Sequence, residues 1–264
     1  MSVATSSTSR RRARRRPPVE FDRIQQLRAH EYVAEQLRRH IALRLVAPGE
    51  ALPSERELAA MFGVGRPTVQ HALRLLESER LVEARRGRLG GTFVLQPSDD
   101  ARVMEKLVTR VLRRWPELEE LLEYRRVLEP LVARIAAESR RKSDLAPMQR
   151  ALERMAGAVV EPDYMRFDTE FHIAVAAATQ NRYFARSIEE IRLELNDALS
   201  LLPETETWHR RLTGEHEAIF DAIEARDPDA AEAAAELHVL ASDTSVRAVV
   251  LAIRRRRAAK RAGA

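Results

Sequence analysis

The chain has 264 residues, of which 45 are lysine or arginine and 40 are aspartate or glutamate, giving a formal net charge of +5. Hydrophobic residues make up 45% of it, enough to build real cores, which excludes a chain that is disordered throughout. It has no cysteine, which excludes disulfides and thiolate metal sites. Because no apolar run reaches ~18 residues, we expect a cytoplasmic protein without a membrane or export segment.

Positive charge is concentrated at the two ends of the chain. Six arginines lie between residues 10 and 16, and four consecutive arginines occupy positions 254 to 257. Blocks of like charge are usually solvated, so we predict disordered basic tails at 1–20 and 254–264. Nonspecific contact with nucleic-acid phosphates is the alternative interpretation.

The first structured elements follow a Pro-Pro break at 17–18. Apolar residues at helical spacing from Ile24 to Leu45 predict a helix of about 20 residues, which the Ala-Pro-Gly sequence at 47–49 stops. Ser54 and Glu57 have the spacing of a capping box and predict the start of a second helix. We expect its buried side to consist of Leu58, Met61 and Phe62.

A third helix begins at Arg66, where Pro67 is tolerated because first-turn N–H groups have no partner within a helix. Its apolar residues recur at i, i+3, i+4 and i+7 and predict a buried face of Val69, Ala72, Leu73 and Leu76. Two short strands, 81–84 and 92–95, then flank a basic, glycine-rich loop. Three helices and a two-stranded wing form a winged helix-turn-helix domain, which reads the DNA major groove and which we place at 21–96.

The rest of the chain is predicted to be entirely helical. After a polar linker at 97–103, helical periodicity continues over 104–253, and breaks near residues 115, 142, 161, 202 and 227 divide it into about six helices. The fold class is therefore mainly α, with an N-terminal winged helix-turn-helix and a C-terminal all-α antiparallel bundle. Any ligand site is expected between facing helices of the bundle.

Both halves resemble a known family. Residues 52–59, 62–69, 72–77 and 91–94 follow one another in the order and spacing of the GntR regulators. The second half is similar to the FCD ligand domain of the FadR-type subgroup, through motifs that include Arg125, Asp168, His172, His216 and His238. The resemblance implies a homodimeric transcription regulator on a short palindromic operator, whose DNA affinity is altered by a small metabolite, often a carboxylate.

The same resemblance implies which residues face DNA. Position 70 departs from the family, which usually has arginine there, and Gln70 suits adenine better because its amide can both donate and accept. For Arg56 and Arg66 a solvated or phosphate-binding role is the alternative to base readout. The full DNA-facing set is Arg56, Arg66, Pro67, Thr68, Gln70, Arg86, Gly87 and Gly91.

A possible metal site lies in the second half. Asp168 and His172 are four residues apart and share a helix face, which Phe171 and Val175 turn toward the interior. His216 and His238 lie among apolar residues of two later helices, and each histidine alone could be a hydrogen-bonded core residue. The family comparison places these four residues at its metal site, and one carboxylate with three imidazoles suits zinc, nickel or another divalent transition metal.

Arg125 matches the position from which the family holds a ligand carboxylate through a forked hydrogen bond. A helix-surface ion pair with Glu129 or Glu123 is the competing interpretation, and Asn181 is predicted to cap or orient a helix. Two other classes of protein are alternatives: a metalloenzyme, for which the sequence has no nucleophile or general-base motif, and an architectural protein that binds DNA only through its tails. We expect no enzyme activity, and partners consisting of double-stranded DNA, a second copy and a small acid.

Overall fold

The computed structural model describes residues 28–46, 48–87, 90–95, 101–158, 161–202 and 206–262, and the structural statements below refer to these residues. The predicted tail at 1–20, the start of the first predicted helix and residues 97–100 of the linker lie outside them. The helices are α1 Ala29–Ala42, α2 Glu55–Phe62, α3 Arg66–Ser78, α4 Ala101–Arg113, α5 Trp115–Ser139, α6 Leu145–Gly157, α7 Glu161–Ala178, α8 Arg182–Leu199, α9 Glu206–Ala225 and α10 Pro228–Ala262. Two strands, β1 Val82–Arg85 and β2 Gly91–Val94, and a short 3-10 helix, Lys142–Asp144, complete them.

The first three helices and the two strands form one small domain with its own core. The predicted capping box at the start of α2 is confirmed, since the Ser54 hydroxyl accepts from the Glu57 N–H and the Glu57 carboxylate accepts from the Ser54 N–H, 2.8 Å away. The predicted face of α3 is also confirmed. Its buried residues are Val69, Ala72, Leu73 and Leu76, and they pack against α1.

The strands pair antiparallel, with Val82 opposite Val94. Both strands are confirmed, and all four of their ends lie one residue away from the predicted bounds. The chain between α1 and α2 runs beside β2, where the Val94 N–H donates to the Glu50 carbonyl. Gly87 in the connecting loop has φ 114°, a conformation that side-chain-bearing residues avoid. One edge of the wing is therefore hydrogen-bonded to the segment between α1 and α2. Its loop turns at Gly87, a position that requires glycine.

Two details of the first domain differ from the predictions. The first helix ends at Ala42, five residues before the predicted stop, because Arg44 adopts a left-handed conformation with φ 57° and the Leu45 N–H turns back to the His40 carbonyl. Met61, predicted to be buried, is 72% exposed. In a helix of eight residues, only Leu58 is fully buried, because α2 contacts the rest of the domain along a narrow stripe.

The second domain is an all-helical bundle around a single large core. Helix α5 packs along α10, which also contacts α9, while α7 packs against α6 and α8. The described part contains seven α-helices after residue 100 instead of about six, because the chain also breaks between α7 and α8. Gln180 there has φ 56°, and Asn181 caps α8 by accepting from the Tyr183 N–H, which confirms its predicted capping role.

The structure corrects both predicted ends of this domain. Helix α4 begins at Ala101, so the last three residues of the predicted linker 97–103 are helical. Helix α10 continues to Ala262, so most of the predicted disordered tail 254–264 is helical instead. Arginine is a good helix former, and α10 gains a partner here because Arg254 lies over the ring of Trp115, 5.5 Å from its centroid.

Among the described helices, we find none that combines the length and the apolar character needed to cross a membrane.

Candidate nucleic-acid interface and metal centre

The outward face of α3 and the start of α2 form the surface predicted to meet DNA. Arg56 and Pro67 are exposed, Thr68 is half-buried, and the Arg66 side chain is 64% exposed. One carboxylate oxygen of Glu55 accepts from Gln70 Nε2 at 2.8 Å and from Arg66 Nη2 at 3.3 Å. Glu55 therefore holds two of the predicted reading side chains side by side, a role that the sequence did not indicate.

The wing presents a second part of the same surface. Arg86 and Gly87 are exposed at the start of its loop, and Gly91 is exposed as the first residue of β2. Arg85 is engaged within the wing, because its guanidinium lies 4.3 Å from the Phe93 ring centroid and pairs with Glu83. Arg86 makes no ion pair with any residue that the structure describes, so it is the freer of the two arginines.

Four residues that are far apart in sequence meet in the core of the bundle. Asp168 and His172 come from α7, His216 from α9 and His238 from α10, and all four are at least nine-tenths buried. One ring nitrogen of each histidine lies within 4.8 Å of those of the other two. Asp168 Oδ1 is 3.2 Å from His216 Nε2, which is itself 3.3 Å from His172 Nε2.

These separations suit a bound metal ion. Ligands held 2.0–2.1 Å from a tetrahedral zinc lie about 3.3 Å from one another, close to the spacing of Asp168, His172 and His216. His172 Nδ1 lies 3.4 Å from Glu129 Oε2, and His238 Nδ1 lies 3.1 Å from Glu215 Oε2. Carboxylates behind the histidines orient metal-binding imidazoles in this way. The donor set and its supporting carboxylates therefore fit a divalent transition metal.

The electrostatics of the cluster favour the protonation states that bind metal. Burial lowers the pKa of His172 well below its usual range, with Arg192 lowering it further. Burial, then His216 and Arg125, lower the pKa of His238 in the same way. Burial raises the pKa of Asp168, but Arg192 and the two nearest imidazoles outweigh it and hold that pKa well below its usual range. At neutral pH, Asp168 is therefore a carboxylate and His172 and His238 are neutral imidazoles.

Arg125 is buried in the bundle and not on a helix surface. Its Nε donates to Glu129 at 2.7 Å, its Nη1 lies 3.3 Å from Asp243, and Ser242 also accepts from it. The predicted ion pair with Glu129 is therefore present, in the core, while Glu123 is exposed. Because two carboxylates surround it, the charge of Arg125 is balanced within the protein.

Sequence reasoning missed a second buried arginine at the same site. Arg192 of α8 donates through Nη2 to Asp168 Oδ2, on the side of the carboxylate away from the histidines, and its buried Nε has no hydrogen-bond partner among the described residues. It borders a small cavity together with Arg125, Asp168 and His238. The sequence pattern could have revealed it, because Arg192 lies among Ile188, Ile191 and Leu195 on the apolar face of α8. A buried arginine needs a buried partner of opposite charge.

Helix α7, which carries Asp168 and His172, and helix α8, which carries Arg192, also contact the winged-helix domain. One turn after Arg192, Asn196 Nδ2 donates to the Ala42 carbonyl at the end of α1, at 3.2 Å. Glu189 of α8 pairs with Arg39 of α1, and Arg166 of α7 makes a two-oxygen ion pair with Glu50. Asp168 and its partner Arg192 are thus one or two helical turns away from residues that contact the first domain.

Comparison with known proteins agrees with this division. Residues 29–94 match "Bacterial regulatory proteins, gntR family", and residues 120–241 match "FCD domain". The chain is 34% identical over 205 residues to the HTH-type transcriptional regulator LutR of Bacillus subtilis (strain 168), covering 73% of this chain and 89% of LutR. It is 31% identical over 214 residues to the HTH-type transcriptional repressor NanR of Cronobacter sakazakii (strain ATCC BAA-894), covering 79% of this chain and 82% of NanR.

A solved structure shows the same fold. E. coli McbR/YncC superposes with a TM-score of 0.51 over 84% of this chain and 98% of its own, at 17% identity. LutR, NanR and the gntR family match are described as regulators, which supports a transcription regulator and not a metalloenzyme. The chain therefore belongs to the GntR family of bacterial transcription regulators, with a DNA-binding helix-turn-helix domain followed by an FCD effector domain.

Proposed function

We propose that this regulator acts as a homodimer on a palindromic operator and responds to a small carboxylate bound at a divalent transition metal, zinc or nickel. The ligands of the metal would be Asp168, His172, His216 and His238. The observation that carries this proposal is the buried cluster of one carboxylate and three imidazoles, two of whose members, Asp168 and His172, lie on α7, a helix that also contacts the winged-helix domain through Arg166.

For DNA, we propose that α3 enters the major groove and that the wing contacts the backbone or the minor groove. Arg56, Arg66, Thr68 and Gln70 would be the side chains closest to the bases or phosphates, with Pro67 fixing the first turn of α3. Arg86, Gly87 and Gly91 would form the contact of the wing. Two observations support this assignment. The arginines are exposed, and Glu55 accepts hydrogen bonds from both Arg66 and Gln70, which holds these two side chains next to each other.

For the effector, the chemistry of the cavity favours an anion. Two buried guanidinium groups, Arg125 and Arg192, border it beside Asp168 and His238. Arg192 keeps a donor without a partner, whereas Glu129 and Asp243 already balance the charge of Arg125. We infer that the carboxylate of the effector binds the metal and accepts from Arg192, while Arg125 orients the site through Glu129, which lies behind His172.

For the dimer, an apolar stripe on the outside of the bundle supports pairing with a second copy. It consists of Tyr124, Val127 and Leu131 on α5 and Leu237 and Leu240 on the adjacent α10. Val127 and Leu237 are 72% and 68% exposed. Exposed apolar residues that cluster on two packed helices are typical of a protein interface. The two-fold symmetry of such a dimer would match a palindromic operator.

Coupling between the two sites follows from where α7 and α8 lie. An effector that pulls Arg192 or Asp168 displaces helices whose next turns hold Ala42 and Glu50 of the first domain. An effector that binds better to the conformation that does not fit DNA weakens operator binding, and one that prefers the other conformation strengthens it.

In vitro selection from random duplexes tests the DNA part. We expect the wild-type chain to enrich a palindromic site, and Arg56→Ala and Arg66→Ala to reduce the affinity ratio between that site and a random duplex. A good bidentate base contact is worth about 1–3 kcal/mol, roughly 5- to 150-fold. Arg150→Ala, at an exposed position of α6, is the control. Unchanged discrimination by both variants would refute the proposed reading surface.

Metal analysis with native mass spectrometry of protein purified without added ions tests the metal part, because a bound small acid would appear in the same spectrum. We expect about one metal ion per chain, and its loss in His172→Ala. Band shifts on the selected duplex with small carboxylates, with and without chelator, then give the direction of the response. If neither the chelator nor His172→Ala alters binding, the metal does not belong in the mechanism.

A further inference from the structure

The last turns of α10 extend beyond the part of the chain that resembles the FCD domain, which ends at residue 241. They carry Arg254, Arg255, Arg256 and Arg257 in one helical turn. Four consecutive cations in a disordered tail would repel one another and move freely. In a helix, their directions are fixed by the packing of that helix.

Two of the four arginines hold α10 against α4 and α5. Arg257 donates to Thr109 Oγ1 at 3.0 Å and also to the Glu105 carboxylate. Arg254 lies over Trp115, the first residue of α5. Because residues 254 and 257 are three apart, they share the face of α10 that packs on α4 and α5.

This packing turns Arg255 and Arg256 outward. Both are exposed, and neither makes an ion pair with any residue in the described part of the chain. Lys106 and Arg113 of α4 are also exposed and also lack a described ion-pair partner, whereas Arg110 and Arg114 of the same helix bind Asp197 and Glu194 of α8. We define Lys106, Arg113, Arg255 and Arg256 as the basic surface of the effector domain.

The chain connection places this surface near the winged helix. Strand β2 ends at Val94 and α4 begins at Ala101, so Glu105, the partner of Arg257, lies no more than about 30 Å along the chain from Leu95. Helix α4 also binds α8, the helix that contacts α1. Because Arg110 binds Asp197, the residue after Asn196, α4 and the end of α10 bound to it lie beside the helix that contacts α1.

We propose that the basic surface of the effector domain binds the phosphate backbone of the duplex next to the site that the winged helix reads. Fixed cations with no protein partner, close to a DNA-binding domain, complement a dense row of phosphates. Such contacts add affinity without sequence information. This proposal depends on DNA binding by the winged helix and does not depend on the metal centre.

The test compares Arg255→Gln/Arg256→Gln with the control Lys142→Gln/Arg150→Gln, which removes the same charge from exposed positions elsewhere on the bundle. Affinity is measured over a range of salt concentrations on two duplexes of equal length, one carrying a site selected by the wild type and one of random sequence. Arg254 and Arg257 are left intact because they hold α10 in place.

We expect the α10 variant to bind both duplexes roughly 5- to 50-fold more weakly near 0.1 M salt, with the slope of log affinity against log salt reduced by about 1 to 2. The ratio between the two duplexes should not change, because phosphate contacts do not read sequence. The control should retain the affinity and slope of the wild type. Circular dichroism checks that both variants keep their helix content.

Equal affinities and slopes for the α10 variant and the wild type would overturn the proposal. So would a loss confined to the selected duplex, which would indicate an indirect effect on the reading surface. Vesicles of anionic phospholipid form a separate arm, and loss of vesicle binding with unchanged DNA binding would assign the surface to a membrane instead. If the wild type selects no site, the proposal of a palindromic operator is refuted. The random duplex then still tests whether the basic surface binds DNA.

Discussion

Two of the three histidines at the metal centre have a carboxylate behind the ring. His172 faces Glu129 and His238 faces Glu215 through Nδ1, which leaves their Nε2 atoms to point toward the cluster. The buried Nδ1 of His216 has no described partner. The carboxylates fix ring orientation and raise the basicity of the coordinating nitrogen, so they should influence metal affinity without touching the metal.

Glu215→Gln tests that influence. We expect metal affinity to fall about 10- to 100-fold, because the amide no longer provides a charged acceptor for His238. Competition with a chromophoric chelator gives the affinity. Glu217→Gln changes an exposed carboxylate two residues away on α9 and should leave it unchanged. Equal affinities for the two variants would mean that Glu215 does not support the site.

The lowered pKa values of His172 and His238 predict how acid affects the metal-free protein. An unfolded histidine titrates near pH 6.5. Below that pH, both histidines bind protons in the unfolded chain, whereas in the folded chain they stay neutral. The stability from the two neutral imidazoles is therefore fully present above about pH 6.5 and decreases as the pH falls, by up to about 1.4 kcal/mol per histidine and pH unit. The lowered pKa of Asp168 acts only at lower pH, below its ordinary range near 3.8.

Thermal unfolding of the metal-free chain between pH 8 and pH 5 measures this effect. We expect the melting temperature of the wild type to fall more steeply below pH 6.5 than that of a His172→Gln/His238→Gln variant, whose side chains do not titrate there. The variant is compared with itself across pH, so a general loss of stability does not obscure the result. Parallel curves for the two proteins would contradict the assignment of neutral, buried imidazoles.

For individual residues of the candidate site, the sequence was informative where local spacing or a family motif distinguishes them. Asp168 and His172 are one helical turn apart, so their shared inward face followed from periodicity alone. Glu215 and Arg192 were missed as parts of the site, because the role of Arg192 depends on how α8 packs on α7 and that of Glu215 on how α9 packs on α10. For Arg125, the alternative ion pair with Glu129 is present, but its burial against Asp243 could be seen only after α5 and α10 were brought together.

Helices α7 and α8 are the elements that join the two domains. Helix α7 carries Asp168 and α8 carries its partner Arg192, and within one or two turns each helix also carries a residue that contacts the winged helix. Asn196 is the most central of these contacts, because its amide donates to Ala42 at the end of α1 and lies 3.5 Å from Thr169, the neighbour of Asp168. A shift of α8 at the metal centre must therefore move or break the contact with α1.

Replacing Asn196 with alanine should uncouple the sites. We expect metal affinity to change little, while the ratio of DNA affinities measured with bound metal and with excess chelator moves toward one. Band shifts on a selected duplex give that ratio. Arg186→Ala, at an exposed position near the start of the same helix, is the matched control and should keep the wild-type ratio. A wild-type ratio in Asn196→Ala would exclude this contact from the coupling.

The apolar stripe on α5 and α10 makes a separate prediction about assembly. A charge at the centre of a protein interface is strongly unfavourable, so Val127→Asp and Leu237→Asp should each shift the chain from dimer to monomer. Light scattering coupled to size-exclusion chromatography measures the mass. Tyr183→Asp changes an equally exposed large side chain on α8, outside the stripe, and should leave the dimer intact. Monomeric wild type, or dimeric stripe variants, would rule out this interface.

The predicted and observed helix ends differ where packing, and not local sequence, decides. The break between α7 and α8 has neither proline nor glycine, and it depends on Gln180 in a left-handed conformation. The last turns of α10 were predicted to be disordered on charge alone, but they have α4 and Trp115 as partners. In contrast, the capping box of α2 and the buried face of α3 involve residues within a few positions of one another, and both were predicted correctly.

In the whole molecule, three kinds of contact would contribute to DNA affinity: side chains of α3, the wing, and cations that touch only phosphates. The first kind distinguishes one sequence from another, while the last adds affinity that falls steeply with salt. The arginines at positions 10 to 16 belong to the last kind in this scheme. An architectural protein that bound DNA through its tails alone would have no other source of affinity.

Deletion of residues 1–20 separates these two cases. If α3 supplies sequence readout, the shortened chain should protect the same selected site in a footprint as the full chain, with weaker overall binding and a smaller salt dependence. The ratio of affinities for the selected and random duplexes should stay within about threefold of the wild-type ratio, because phosphate contacts contribute equally to both. A chain that bound only through its basic tail would lose most of its affinity and any footprint with it. Combining this deletion with Arg66→Ala makes the distinction sharper. If Arg66 reads the sequence, its loss should also remove the preference of the shortened chain for the selected duplex over the random one.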